Sequence, residues 1–170
     1  QNGADGNAAD QNLLRSIELV DAAIANYFTN ESMSMARYYN PYTQIASQER
    51  ASVWMYTSAI EAVNAILKAL RAQNDLGYAE LYDQYNAKYV QLLEKLFAGL
   101  QYYKGTFRLV SYTQTKEWSV YAVNRAGAPG TADVSGVLNV YDDQQWLVRE
   151  LLESYHLTGN KRYLDEAEYL

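Results

Sequence analysis

The chain has 170 residues, with 14 Lys and Arg against 20 Asp and Glu for a formal charge of -6, no Cys, one His and 17 Tyr. At 49% hydrophobic and 20% charged residues it can bury a core, which excludes disordered, collagen-like and low-complexity classes, and its length fits one domain. Without cysteine there is no disulfide framework, thiolate zinc site or thiol nucleophile; the acidic balance, with pI near 4.8, argues against nucleic acid and anionic membrane surfaces, which need a Lys/Arg footprint.

Residues 1–9 are rich in Asn, Gly, Ala and Asp and read as a polar tail, neither a signal peptide nor an ordered element. From Asp10 to Phe28 the apolar residues Leu13, Ile17, Val20, Ile24 and Tyr27 alternate at three and four, the spacing of an amphipathic helix. The rhythm breaks over Asn30–Ala46, which contains Asn40-Pro41 and is expected to be a long loop. A second helix is expected from Ser47 to about Ala72 on Val53, Tyr56, Ile60, Val63, Leu67 and Leu70. A third runs from Tyr78 to about Tyr103 on Tyr82, Tyr85, Tyr89, Leu92, Leu93, Leu96 and Leu100.

Phe107–Tyr112 and Trp118–Val123 flank a polar turn and are rich in β-branched and aromatic residues, so a hairpin-like excursion is expected near 107–123. A Gly/Pro loop from Arg125 to Thr131 leads to a fourth helix beginning near Asp142. That helix ends at Gly159, a left-handed cap, and Asn160 caps a fifth. The fifth is still periodic at Leu170, so the chain reads as cut there. No run approaches 18 apolar residues, and no bilayer span is expected. The helix pairs carry no fixed-period repeat. An all-α toroid of α-hairpins is therefore the expected architecture.

The most informative stretch is Asn139-Val-Tyr-Asp-Asp-Gln-Gln-Trp146, where two adjacent carboxylates open a helix between Tyr141 and Trp146. The plain account is structural: acidic residues at a helix start meet the positive end of the macrodipole and cap free N–H groups. The functional account is a nucleophile beside an acid/base. Retaining glycosidases hold two carboxyl groups about 5–5.5 Å apart, a span that neighbouring side chains can reach, and helix-terminal N–H groups against an aromatic wall would separate their pKa values.

Tyr141-Asp-Asp-Gln-Gln-Trp146, together with Tyr155-His-Leu-Thr-Gly159 and Arg162-Tyr-Leu164 closing onto Ala167, resembles the central segment of glycoside hydrolase family 76, the endo-α-1,6-mannanases. Val53-Trp-Met-Tyr56 with Ala59-Ile-Glu-Ala-Val63 is similar to that family's aromatic second helix. The resemblance implies an (α/α)6 barrel, of which residues 10–170 would form about the first half. It implies a retaining mechanism with Asp142 as nucleophile and Asp143 as general acid/base, an α-mannan or mannooligosaccharide substrate, and no cofactor. A later Tyr-Asn-Gln-Gly segment of the family is absent, so weak or no activity is expected of this chain alone. An extracellular, periplasmic or cell-surface location follows from the substrate class.

Trp54, Tyr112, Trp118, Tyr141 and Trp146 are the candidate sugar platforms, with Tyr56 considered beside them; core packing competes at each, since helical toroids bury Tyr and Trp between layers. Arg125 either reaches a substrate hydroxyl or is a plain loop cation. Glu18, Asp21, Glu61, Glu94, Glu150 and Glu153 are expected on solvated helix faces, His156 in solvent or against a helix C-terminus, and no metal site is expected. Two other readings stay open: a non-catalytic, Tyr-rich helical glycan-binding surface protein, and a different toroid enzyme such as a uronyl hydrolase or a sugar epimerase. The single His argues against an epimerase.

Overall fold

A computed structural model describes residues 2–29, 32–135 and 141–170, giving only the backbone for 2–7, 109 and 141–143. The chain is predominantly helical, 60% by residue, with five α-helices and three small antiparallel sheets among the described residues. In order these are α1 (Asn2–Tyr27), β1 (Phe28–Thr29), β2 (Ser34–Met35), β3 (Tyr39–Asn40), β4 (Ile45–Ala46), α2 (Val53–Asp75), α3 (Glu80–Leu100), β5 (Lys104–Val110), β6 (Thr115–Tyr121), α4 (Tyr141–Thr158) and α5 (Lys161–Tyr169).

Several expectations are corrected here. The opening stretch read as a tail is helical from Asn2: Ala4, Ala8 and Ala9 favour helix, and the buried Leu13 and Ile17 anchor the turns from which it propagates. The segment read as a long loop folds into two short ladders, Phe28 opposite Met35 and Tyr39 opposite Ala46, closed by a bridge between Ala36 and Arg50. Consequently α2 starts at Val53, not Ser47, with the Ser52 hydroxyl accepting from the Met55 N–H. The third helix gives way at Gln101–Tyr103 to a single 3-10 turn. The hairpin expected near 107–123 begins three residues earlier and ends two earlier, pairing Lys104 with Tyr121 and Val110 with Thr115.

The central helix is α2. Its buried residues Val53, Tyr56, Ile60, Val63, Leu67 and Leu70 follow the predicted spacing, and it packs against α1, α3 and α4. Residue pairs fix the directions. Phe28 stacks edge-on to Tyr56 and Tyr56 bonds to Leu96, so α1 and α3 run antiparallel to α2. Trp54 meets Trp146, Asn64 meets Glu150 and Arg71 meets Leu157; the numbers rise together, so α4 runs parallel to α2.

Tyrosine holds these layers together. Tyr56, Tyr89, Tyr103, Tyr121 and Tyr163 are among the largest fully buried side chains. The Tyr56 hydroxyl donates to the Leu96 carbonyl at 2.7 Å and Tyr103 to the Ala51 carbonyl at 2.7 Å. Tyr89 lies 2.8 Å from Asp21 Oδ1 and 3.1 Å from the Ile17 carbonyl, sharing one proton between α1 acceptors. A phenol fills the space between helices while its tip satisfies a neighbouring element's acceptor. Tyr56, weighed as a sugar platform, is thus core.

The helix ends after α4 match their local signals. Gly159, at φ +70°, donates its N–H to the Tyr155 carbonyl. The Arg71 guanidinium covers the carbonyls of His156 and Leu157. Asn160 Oδ1 accepts from the Arg162 N–H and starts α5. His156 itself is exposed.

Candidate functional site

The end of β6 clamps two helix starts. The Val53 N–H donates to the Val123 carbonyl at 2.8 Å. The Gln144 amide pairs with the Tyr121 backbone in both directions, Nε2 donating to the carbonyl at 2.6 Å and Oε1 accepting the N–H at 3.2 Å. Gln144 thus acts like an extra strand residue and fixes the first turn of α4 against the hairpin base. Tyr121 is anchored in turn: its hydroxyl donates to Glu166 Oε1 at 2.6 Å, and the Lys104 ammonium lies 2.8 Å from the same oxygen. The N-termini of two parallel helices therefore lie at one end of the molecule, and their dipoles favour negative charge there.

Asp142 and Asp143 occupy that first turn of α4; their side chains, and that of Tyr141, are not among those described. Trp146 follows Asp142 by four residues and Asp143 by three, placing it one turn on along the same side of the helix. It meets Trp54 from α2, with ring centroids 6.3 Å apart and planes at 84°. Trp54 is 61% exposed and Trp146 half-buried, so this edge-to-face pair presents apolar ring surface to solvent.

Below the pair, a groove of about 370 Å³ runs between α2 and α4, lined by Trp146, Glu61, Asn64, Lys68, Glu150 and Glu153. Its floor is the buried Asn64, which donates to the Glu150 carbonyl at 3.0 Å and lies 2.9 Å from the Ser154 hydroxyl. Glu150 departs from the solvated face expected of it. It is half-buried, its Oε2 is buried without a partner among the described residues, and burial, then the carboxylates of Glu61 and Glu153, push its pKa up. The signal was a spacing of three or four through Asp143, Trp146, Glu150 and Glu153, one stripe of α4. A helix rise of about 10 Å separates Glu150 from Asp143, so it is a wall group and not the second member of the adjacent pair.

The raised pKa means that the folded protein holds this proton more tightly than the unfolded chain, whose group titrates near the ordinary 4.5. Its contribution to stability is therefore present below that value and falls as pH rises through the folded pKa. Glu150→Gln is expected to stabilise the protein near pH 7 by less than about 1 kcal/mol, given solvent screening, and to have no effect near pH 3.5. Urea unfolding at both pH values measures this; an equal gain at both would assign the effect to packing.

The other platforms are elsewhere. Tyr112 is fully exposed in the hairpin turn, about 20 Å of strand from Tyr121. Trp118 is half-buried on β6, with the Lys116 ammonium 3.9 Å from its ring centroid. The structure thus brings together Trp54, Trp146 and the Asp142–Asp143 turn, and not Tyr112. Among the described residues no group of three or more His, Asp or Glu is placed to hold a metal ion. No described helix is long and apolar enough to cross a membrane. Compared with models of protein families, with curated proteins and with solved structures, the chain matches none.

Proposed function

We propose that this protein is a carbohydrate-active enzyme, a retaining glycoside hydrolase acting on α-1,6-mannosidic linkages, with Asp142 as nucleophile and Asp143 as general acid/base. The observation that carries the reading is the solvent-facing Trp54–Trp146 pair one helical turn from the positions of Asp142 and Asp143: exposed flat apolar rings near acidic positions suit a sugar ring, apolar on its faces and polar at its rim. The polar groove continuing from Trp146 offers amide and carboxylate groups to further hydroxyls. The mannan specificity rests on the family 76 resemblance.

A toroidal architecture belongs to the same reading. It is supported by α2 and α4 running parallel, each followed by a helix that packs against it. An extracellular, periplasmic or cell-surface location follows from a polymeric substrate. In the mechanism proposed, Asp142 attacks the anomeric carbon as Asp143 protonates the departing oxygen, and Asp143 then takes a proton from the water that releases the sugar.

The test is incubation of linear α-1,6-mannan with a protein in which further helices complete the barrel that this chain would begin, following reducing ends and the anomeric form of the first product. Release of α-configured mannooligosaccharides is expected. Trp54→Ala should weaken mannooligosaccharide binding by about 1–3 kcal/mol if stacking on sugar resembles other aromatic stacking in scale. Binding without turnover would replace hydrolysis by the glycan-binding reading, and neither binding nor turnover would reject both.

A further inference from the structure

A second cavity, of about 430 Å³, shares no residue with the α2–α4 groove and is lined by Thr29, Ser34, Arg50, Tyr102, Arg125 and Gly127 among others. It is built around two guanidinium groups. Arg125 lies over the Tyr102 ring at 3.8 Å from the centroid, and its Nη2 donates to the Ser32 carbonyl at 3.0 Å. Its Nε is buried with no partner among the described residues. Arg50 is held by three bonds: Nε to the Gln48 carbonyl, Nη1 to the Ser34 hydroxyl and Nη2 to the Ser47 carbonyl.

A guanidinium has five N–H donors, so both groups keep donors to spare after these contacts fix their orientation. The two cations line the same cavity, and while burial pushes the pKa of the neighbouring Tyr103 hydroxyl up to about 12, Arg125 and then Arg50 both lower it. Among the described residues neither arginine forms an ion pair, and no carboxylate lines the cavity. Two partly desolvated cations lining one cavity repel, and a bound anion would offset that cost. In a chain of net charge -6 such a site is a local reversal of sign.

We infer that this cavity binds the oxyanion of a small organic molecule, a carboxylate or a phosphate ester, through Arg50 and Arg125. Planar guanidinium forks match either group in bidentate fashion. The volume lies in the range of small-molecule sites and exceeds what a bare ion fills. The hydroxyl-bearing Thr29 and Ser34 and the Tyr102 ring add polar and stacking contacts for a sugar-sized body.

Titration calorimetry with glucuronate, glucose 6-phosphate, inorganic phosphate and neutral glucose tests it. At least one of the two organic anions is expected to bind at one site with a Kd on the order of 1 mM or tighter, more weakly as salt rises, and glucose not at all. Which of the two binds better separates carboxylate from phosphate ester. Arg125→Gln should weaken binding by about tenfold or more. Arg125→Lys, which keeps the charge and loses the planar fork, should fall between, and covers the case in which the glutamine variant does not fold. Inorganic phosphate binding as tightly as both organic anions would overturn the organic ligand. No binding to the folded protein would overturn the site. Binding that emerges only in Glu31→Gln, a position next to Ser32 and outside the described residues, would overturn it as well, since the anion would then be the chain's own.

Discussion

In a protein that completes the barrel, Asp142→Asn is expected to lower turnover of α-1,6-mannan by roughly 10⁴-fold or more, the scale on which removal of a catalytic nucleophile acts. An amide oxygen cannot form a stable ester at the anomeric carbon, so the first half of the double displacement fails. The fold should be untouched, because Asn is tolerated at helix starts as well as Asp; matching melting curves and circular dichroism would confirm it. Asp143→Asn should behave differently. Hydrolysis of mannan falls because the leaving oxygen is no longer protonated, whereas an aryl mannoside with an acidic leaving group still forms the glycosyl-enzyme, and azide then restores release with retained configuration. If Asp142→Asn leaves mannan turnover unchanged, the assignment of roles fails and the adjacent acids revert to helix capping.

Gly99→Ala should strongly reduce stability, by about 3 kcal/mol, or about 9 °C in Tm for a chain of this size. A Cβ at Gly99 would overlap the Tyr56 hydroxyl and come within 3.0 Å of Met33 Cβ and 3.1 Å of the Ser32 carbonyl oxygen. Tyr56 is fully buried, and its hydroxyl is fixed on the Leu96 carbonyl; moving it strands a buried polar group. Met33 is also buried and already sits at φ +50°, so the segment leaning on Gly99 has little freedom to retreat. Tyr56→Phe alone should cost only about 1 kcal/mol, a typical net hydrogen bond. Combined with Gly99→Ala it clears part of the space, so the double variant should be more stable than the sum of the single changes requires. Strict additivity in urea unfolding would show that the tyrosine hydroxyl is not what the glycine accommodates.

Much of this was legible in order along the chain, and the reason is the range of the interactions. The α4–α5 junction is decided within five residues: Gly159 takes the left-handed conformation and Asn160 caps its own neighbour two residues on. The hairpin of β5 and β6 closes over a four-residue turn. The core stripe of α2 follows from helical spacing alone. Segment 32–50 was not legible, because its ladders are only two residues long and it is held by contacts from elsewhere, such as Ala36 on the Tyr27 carbonyl and Ala51 on the Met35 carbonyl. Exposure of the aromatic residues was not legible either: Trp54 and Tyr56 stand two apart on one helix, and one faces solvent while the other is sealed.

By itself, the sequence determined the helical class, the capped start and stop of the last helices, the acidic pair in the first turn of α4 and the exclusions that follow from having no cysteine. These rest on backbone geometry and on neighbours within one turn. Tertiary structure alone decided that Trp54 meets Trp146 across 92 positions, that Gln144 pairs with the Tyr121 backbone, that Glu150 shares a groove with Glu61 and Glu153 and that Arg50 and Arg125 share a cavity. Each depends on the placement of α4 against α2 and β6 or on the anchoring of segment 32–50. Those are properties of packing between distant segments, which no local periodicity encodes.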